Sequence, residues 1–221
     1  MGRERIEPGG RPAAAAAGGA AGGRETSARP LRADARRNVD ALLTAAKAVF
    51  ATSGVDAPVR EIAAKAGVGL GTLYRHFPHR SDLITAVFRH EVDACADEAP
   101  VLAAEYGPGE ALERWLYRYA DFIATKRGLA AALYSGDPAF DALPAYFDAR
   151  FRPALGSLLA SAAAAGEIRG DLEAMELLQA VANLCLPTDA DRPGHPRRVI
   201  ALLIDGLRYG AGDRRHSGHR R

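Results

Sequence analysis

An all-α fold is predicted for this 221-residue chain. Three observations carry that prediction. Apolar residues recur three and four positions apart in successive stretches, as helices with one buried face require. No stretch alternates apolar and polar residues convincingly enough to read as a half-buried strand. Glycine and proline fall where those helical stretches would end. Together they give about nine helices, and a composition of 48% hydrophobic and 25% charged residues is ordinary for a chain that folds around a core.

The elements follow in order. Residues 1–33 are Gly, Ala, Pro and Arg with almost nothing to bury, and are expected to form a disordered low-complexity arm. Its arginines could sample a nucleic-acid backbone, although a solvated tail is the plainer reading. The first helix, from about Arg36 to Ser53, places Val39, Leu42, Leu43, Ala46 and Phe50 on one face, and Gly54 stops it. A second buries Val59, Ile62, Ala63 and Ala66, and Gly67 supplies the residue that tolerates a left-handed turn. A short third helix, Gly69 to Phe77, buries Leu73 and Phe77, four apart, and Pro78 ends it. A long helix opening at Arg80 or Ser81 carries Leu83, Val87, Phe88, Val92 and Cys95, with breaks expected at Pro100 and at Gly107-Pro108-Gly109. Further helices are expected near 110–125, 129–133, 139–165, 171–186 and 197–209, and a basic disordered tail over 211–221. The resulting division is an N-terminal three-helix domain over 34–80 and a larger helical domain over 81–210.

The second and third helices form a helix-turn-helix, and its outward face is informative. With Leu73 and Phe77 turned inward, the third helix offers Leu70, Gly71, Thr72, Tyr74, Arg75 and His76 to a partner. The set is small at its N-terminal end and hydrogen-bonding beyond, a shape that suits entry into the DNA major groove. The net charge of the whole chain is only +2, but residues 34–80 hold seven basic against four acidic side chains. A modest local excess fits a protein that multiplies its phosphate contacts by dimerising.

Ile62, Ala63, Ala66-Gly67-Val68, Gly71-Thr72-Leu73-Tyr74, His76-Phe77 and Asp82-Leu83 together resemble the DNA-binding domain of TetR/AcrR-type transcriptional regulators, densely from about Arg36 to Phe88. The resemblance implies that Tyr74, His76 and Arg80 anchor the DNA backbone, while Arg60, Leu70, Gly71 and Thr72 face base edges and Arg75 serves either. Arg60 could present its two-pronged donor to a guanine. Two departures bear on the operator rather than on the fold. Gly69 stands where Ser or Thr is common, and caps the helix at a cost of a few tenths of a kcal/mol. Leu70 occupies a frequently polar position, which favours a thymine-methyl contact there.

The same resemblance implies a C-terminal domain that binds a small-molecule effector and carries a homodimer interface on its last two helices, and hence a palindromic operator in double-stranded DNA. Trp115, Tyr119, Phe122, Tyr134, Phe147 and Phe151 are the candidate pocket-lining residues, each of which could equally be plain core. Few ionisable residues interrupt those stripes, which favours an uncharged or hydrophobic ligand. The expected function is a regulator, most simply a repressor released by its ligand. A ligand-independent dimeric architectural DNA module is the alternative, and an enclosed pocket would discriminate between them.

Other classes find little support. Only Cys95 and Cys185 are present, without metal-ligand spacing, and His76-x-x-His79 lacks a nearby acidic or cysteine ligand, so neither metal nor cofactor is expected. No phosphate loop, nucleophile elbow or paired carboxylates suggest an enzyme. No long apolar run suggests a membrane span, and the Ala/Gly-rich start lacks the residues of a secretion signal. A cytoplasmic protein is expected.

Overall fold

A computed structural model describes residues 25–185 and 194–209. Of the arm expected to be disordered over 1–33, residues 1–24 lie outside the described residues, as do the tail and the loop prolines Pro187 and Pro193, while residues 25–33 are helical. Among those described, secondary structure consists of nine α-helices and one 3₁₀ turn. The chain forms two compact units, the first ending at Arg37 and the second beginning at Asn38. Within the first, the guanidinium of Arg37 donates to Asp34 one turn earlier.

Helix α1 (Glu25–Ser53) begins well before the expected start near Arg36. Ala and Arg dominate residues 28–37, and such residues extend a helix at little cost once it has nucleated. Leu42, Leu43, Ala46, Val49 and Phe50 are buried on its inner face. Gly54, at φ 75°, ends it. Helix α2 (Val59–Ala66) buries Ile62 and Ala63 and stops at Gly67, whose φ of 69° is left-handed. Helix α3 (Leu70–His76) buries Leu73, and Phe77 closes the small core beneath it.

Helix α4 (Arg80–Glu105) runs unbroken through Pro100, where the sequence predicts a break. Proline in a helix interior costs a hydrogen bond and crowds the preceding turn. Burial of Ala99 and Leu102 on either side holds the helical course. Helix α5 (Pro108–Arg127) opens with Pro108 in its first turn after Gly107. Helix α6 is a single turn, Ala130–Leu133. A 3₁₀ turn over Pro138–Phe140, capped by the Asp137 carboxylate, precedes α7 (Leu143–Ala164). Helices α8 (Ala174–Leu184) and α9 (His195–Tyr209) complete the domain.

Helices α4, α5 and α7 pack together as the centre of the larger domain, with α8 and α9 against α5. Their core is an aromatic cluster: Trp115, Tyr119, Phe122 and Phe151 are each at most 1% exposed. Trp115 and Tyr119 stack with planes 2° apart, and Phe151 meets Phe147 edge-on at 4.5 Å. The polar ends of this cluster are satisfied, as burial demands. Trp115 Nε1 donates to the Cys95 carbonyl at 2.9 Å, and the Tyr119 hydroxyl to the Leu178 carbonyl at 3.3 Å. At the surface of α4 and α7, the Tyr146 hydroxyl donates to Asp93 at 2.7 Å, and Arg150 bridges Asp93 and Asp97.

Three contacts fasten the larger domain to α1 and the loop that follows it. Lys47 of α1 pairs with the buried carboxylate of Glu91 on α4 at 2.5 Å. Gly128, at the α5–α6 junction, lies so close to α1 that a Cβ there would sit 2.7 Å from the Phe50 carbonyl oxygen. Arg80, at the start of α4, donates Nη1 to the carbonyls of Val55 and Ala57 in the α1–α2 loop.

Candidate nucleic-acid interface and effector cavity

The geometry of α3 follows from the glycine at its N-terminus and its two inward apolar side chains. Gly69 adopts an extended conformation (φ −71°, ψ 149°), and its carbonyl accepts the backbone N–H groups of Thr72 and Leu73 at 2.9 and 3.2 Å. With no side chain at the cap position or at Gly71, only the side chains of Leu70 and Thr72 stand over the first turn. Leu70 is 43% exposed and Tyr74 48%, a large apolar and a large aromatic surface left open next to a packed core. Arg60 on α2 and Gly71, Arg75 and His76 on α3 are exposed, and Thr72 is half-buried. Among the described residues, no carboxylate neutralises Arg60 or Arg75. The face is therefore cationic, rich in donors and unpaired, as a phosphate-tracking surface must be.

Arg80 stands apart from this set. It is half-buried, and one guanidinium nitrogen is engaged by the two loop carbonyls. The residues on either side close the helix start: the His79 backbone N–H donates to the Asp82 carboxylate at 2.9 Å.

A second feature lies in the larger domain. A cavity of about 360 Å³ opens beside the aromatic core, lined by Phe88 of α4, Lys126 of α5, Leu133 and Tyr134 at α6, Phe140 of the 3₁₀ turn, Leu143, Pro144, Phe147 and Asp148 of α7, and Met175 of α8. Its volume lies within the range of small-molecule sites. Of the six aromatic residues singled out from the sequence, Tyr134 and Phe147 line it. Trp115, Tyr119, Phe122 and Phe151 form the packed cluster behind its wall. Periodicity does not tell the six apart: four pack into the core, Phe147 is half-buried, and Tyr134, just past the end of α6, is 76% exposed. Phe88 and Met175 read in the sequence as ordinary core residues of their stripes. Lys126 and Asp148 give the lining two charged groups that stripe reading passes over.

Cys95 and Cys185 are both buried. Burial pushes the Cys95 thiol up to about 12, so it stays protonated, and an unreactive core residue is the result. Among the described residues, no cluster of His, Cys, Asp and Glu could hold a metal ion, and no helix is long and apolar enough to cross a membrane.

Comparison with known proteins addresses both halves of the chain. Residues 42–87 match the family model described as bacterial regulatory proteins, tetR family. Residues 107–209 match that described as transcriptional regulator SbtR-like, C-terminal domain. A curated HTH-type transcriptional regulator of Staphylococcus aureus is 38% identical over 64 residues, covering 28% of this chain and 35% of that protein. The alignment thus spans about a third of the length of the curated relatives it matches. Two solved structures extend over nearly their whole length. A TetR transcription regulatory protein from Mycobacterium vanbaalenii is 38% identical, with a TM-score of 0.67, covering 81% of this chain and 99% of that one. A TetR transcriptional regulator from Streptomyces coelicolor is 40% identical, with a TM-score of 0.66, covering 77% and 98%. The fold is shared at 24% identity and a TM-score of 0.54 by the regulator LfrR of Mycobacterium smegmatis, solved in complex with proflavine, over 78% of this chain and 94% of that one. With an N-terminal helix-turn-helix and a C-terminal helical domain that each match, this chain belongs to the TetR family of bacterial transcriptional regulators.

Proposed function

We propose that this protein is a sequence-specific DNA-binding repressor that acts as a homodimer and is released from a palindromic operator by a small molecule. The observation that carries the reading is the outward face of α3, where exposed Leu70, Tyr74, Arg75 and His76 surround a helix anchored by buried Leu73 and Phe77. Tyr74 and His76 hold the DNA backbone, and Arg60, Leu70, Gly71 and Thr72 meet base edges over the open first turn at Gly69. Arg75 reaches either. Arg80 uses only one of its guanidinium nitrogens on the α1–α2 loop, so the others remain for phosphate.

Dimerisation is supported by α9. Ile200, Ile204 and Leu207 turn into the domain, which leaves Leu202 71% exposed and Tyr209 91% exposed, with the exposed Gly206 between them. Leu184 at the end of α8 is likewise 41% exposed. A second copy covering this face brings two α3 helices into one assembly and doubles the phosphate contacts.

Release by a ligand is supported by the cavity and by its surroundings. Phe88 belongs to the same helix that carries Arg80 and Glu91, the two side chains that hold α1 and the loop leading into the helix-turn-helix. An occupant that shifts α4 therefore changes the spacing of the recognition helices, and binding of ligand and operator become mutually unfavourable. The cavity also counts against a ligand-free architectural module, which has no need of one.

The test is selection from a pool of genomic fragments with the wild type and with Tyr74→Phe/His76→Ala, at several salt concentrations. Recovery of one palindromic sequence, lost in the variant, supports the reading. Equal, salt-sensitive binding to every fragment overturns it.

A further inference from the structure

The cavity holds one cation that nothing in the described protein neutralises. Lys126 is half-buried near the end of α5, and among the described residues no carboxylate lies within ion-pair distance of its ammonium. Instead Nζ rests over two ring faces, 5.7 Å from the centroid of Tyr134 and 6.0 Å from that of Phe147. At those distances the ring quadrupoles replace little of the hydration that half-burial removes. Asp148, the carboxylate in the same lining, is already engaged by Arg152 of its own helix at 2.8 and 3.3 Å. The remaining wall, Phe88, Phe140, Leu143 and Met175, is apolar.

We propose that the effector is an amphipathic monoanion, a carboxylate or comparable single negative charge at Lys126 carried on an apolar body that fills the rest of the cavity. This rests on the reading of the cavity as the effector site and names the chemistry it selects. A doubly charged head group is disfavoured because the lining offers it one cation, and its second charge would stay desolvated against an apolar wall. A flat cation would have the rings but would sit beside Lys126. The position also suits signalling. Lys126 precedes by two residues Gly128, whose backbone abuts Phe50 of α1, so an anion drawn to Lys126 acts next to that joint. The uncharged ligand suggested by the apolar stripes is replaced, because the stripes omit the one residue at the end of α5 that faces the void.

The full-length protein and calorimetry at one ionic strength test this with three probes on one ring system: 1-naphthaleneacetate, 1-naphthaleneethanol and 2-(1-naphthyl)ethylammonium. The acetate is expected to bind about ten- to a hundredfold tighter than the alcohol, the span of a charge-assisted hydrogen bond in a partly desolvated site, and the ammonium most weakly. Lys126→Met should bring the acetate down to the alcohol while leaving the alcohol little changed, and Lys126→Arg should keep the preference. Equal binding of all three probes, or tightest binding of the ammonium, overturns the charge assignment and leaves the cavity as a ligand site. Failure of all three to bind, or binding undiminished by the cavity-filling Leu143→Trp, overturns the effector-site reading and this inference with it.

Discussion

Gly128→Ala introduces one methyl group where α5 gives way to α6, against the backbone of α1. The native backbone there is right-handed helical (φ −62°, ψ −19°), so alanine adopts it without backbone strain and the cost in the folded state is steric. An ideal Cβ would lie 2.7 Å from the Phe50 carbonyl oxygen, 3.0 Å from its carbon and 3.1 Å from Ala51 Cα. Those atoms are backbone, and the Phe50 oxygen also accepts the Gly54 N–H that terminates α1, at 3.1 Å. Neither partner can turn aside as a flexible side chain would. Restoring normal contact means separating the α5–α6 junction from α1 by roughly 0.5 Å or more. Overpacking of this kind costs about 1–3 kcal/mol. The general gain from replacing glycine, about 0.4–1 kcal/mol, offsets part of it. The net is a loss on the order of 1–2 kcal/mol, or about 2–8 °C in Tm for a chain of this size. Gly156→Ala, within α7 with no atom within 4 Å of the added Cβ, serves as the reference and should stabilise by about 0.5–1 kcal/mol. Thermal and denaturant unfolding at one protein concentration read both variants. Opposite signs are expected. If Gly128→Ala matches Gly156→Ala, the close approach of the two backbones is not a constraint and the reasoning fails.

Three further outcomes follow from burial and exposure. Cys95 should resist alkylation by iodoacetamide in the native protein at pH 8 and react on unfolding, because its buried thiol ionises only near 12. The same shift makes the folded state hold its proton where the unfolded chain releases it. The stabilisation is therefore complete below about pH 9 and is lost as pH rises toward 12, and Cys95→Ala should flatten the alkaline slope of stability. Leu202→Glu puts a charge in the centre of the exposed α9 face; sedimentation should show the wild-type dimer shifted to monomer and operator affinity reduced, with far-UV dichroism unchanged, whereas an intact dimer would move the interface elsewhere.

How much of the molecule is legible in the chain depends on the range of the interaction concerned. The ends of α1 and α2 were readable because Gly54 and Gly67 adopt the left-handed conformation at the positions where the apolar stripes stop. The orientation of α3 was readable because Leu73 and Phe77, four apart, can bury only together. Pro100 misleads for a complementary reason: local chemistry says break, and the burial of Ala99 and Leu102 against other helices overrides it. Arg80 shows the same limit at a site residue. Its charge and its place after α3 suggest phosphate, while the loop that presents the Val55 and Ala57 carbonyls is set by tertiary packing.

The sequence by itself determined an all-helical fold, the helix-turn-helix and its family, since each depends on spacings of a few residues whose side chains must share a face or a turn. Tertiary structure alone decided the rest. Trp115, Tyr119, Phe122 and Phe151 became core, while Tyr134, Phe147 and Lys126 came to line a cavity. The physical reason is that a cavity is the space left unfilled where α4, α5, α7 and their neighbours fail to close. No single helix encodes that space, because its walls come from residues as far apart in the chain as Phe88 and Met175.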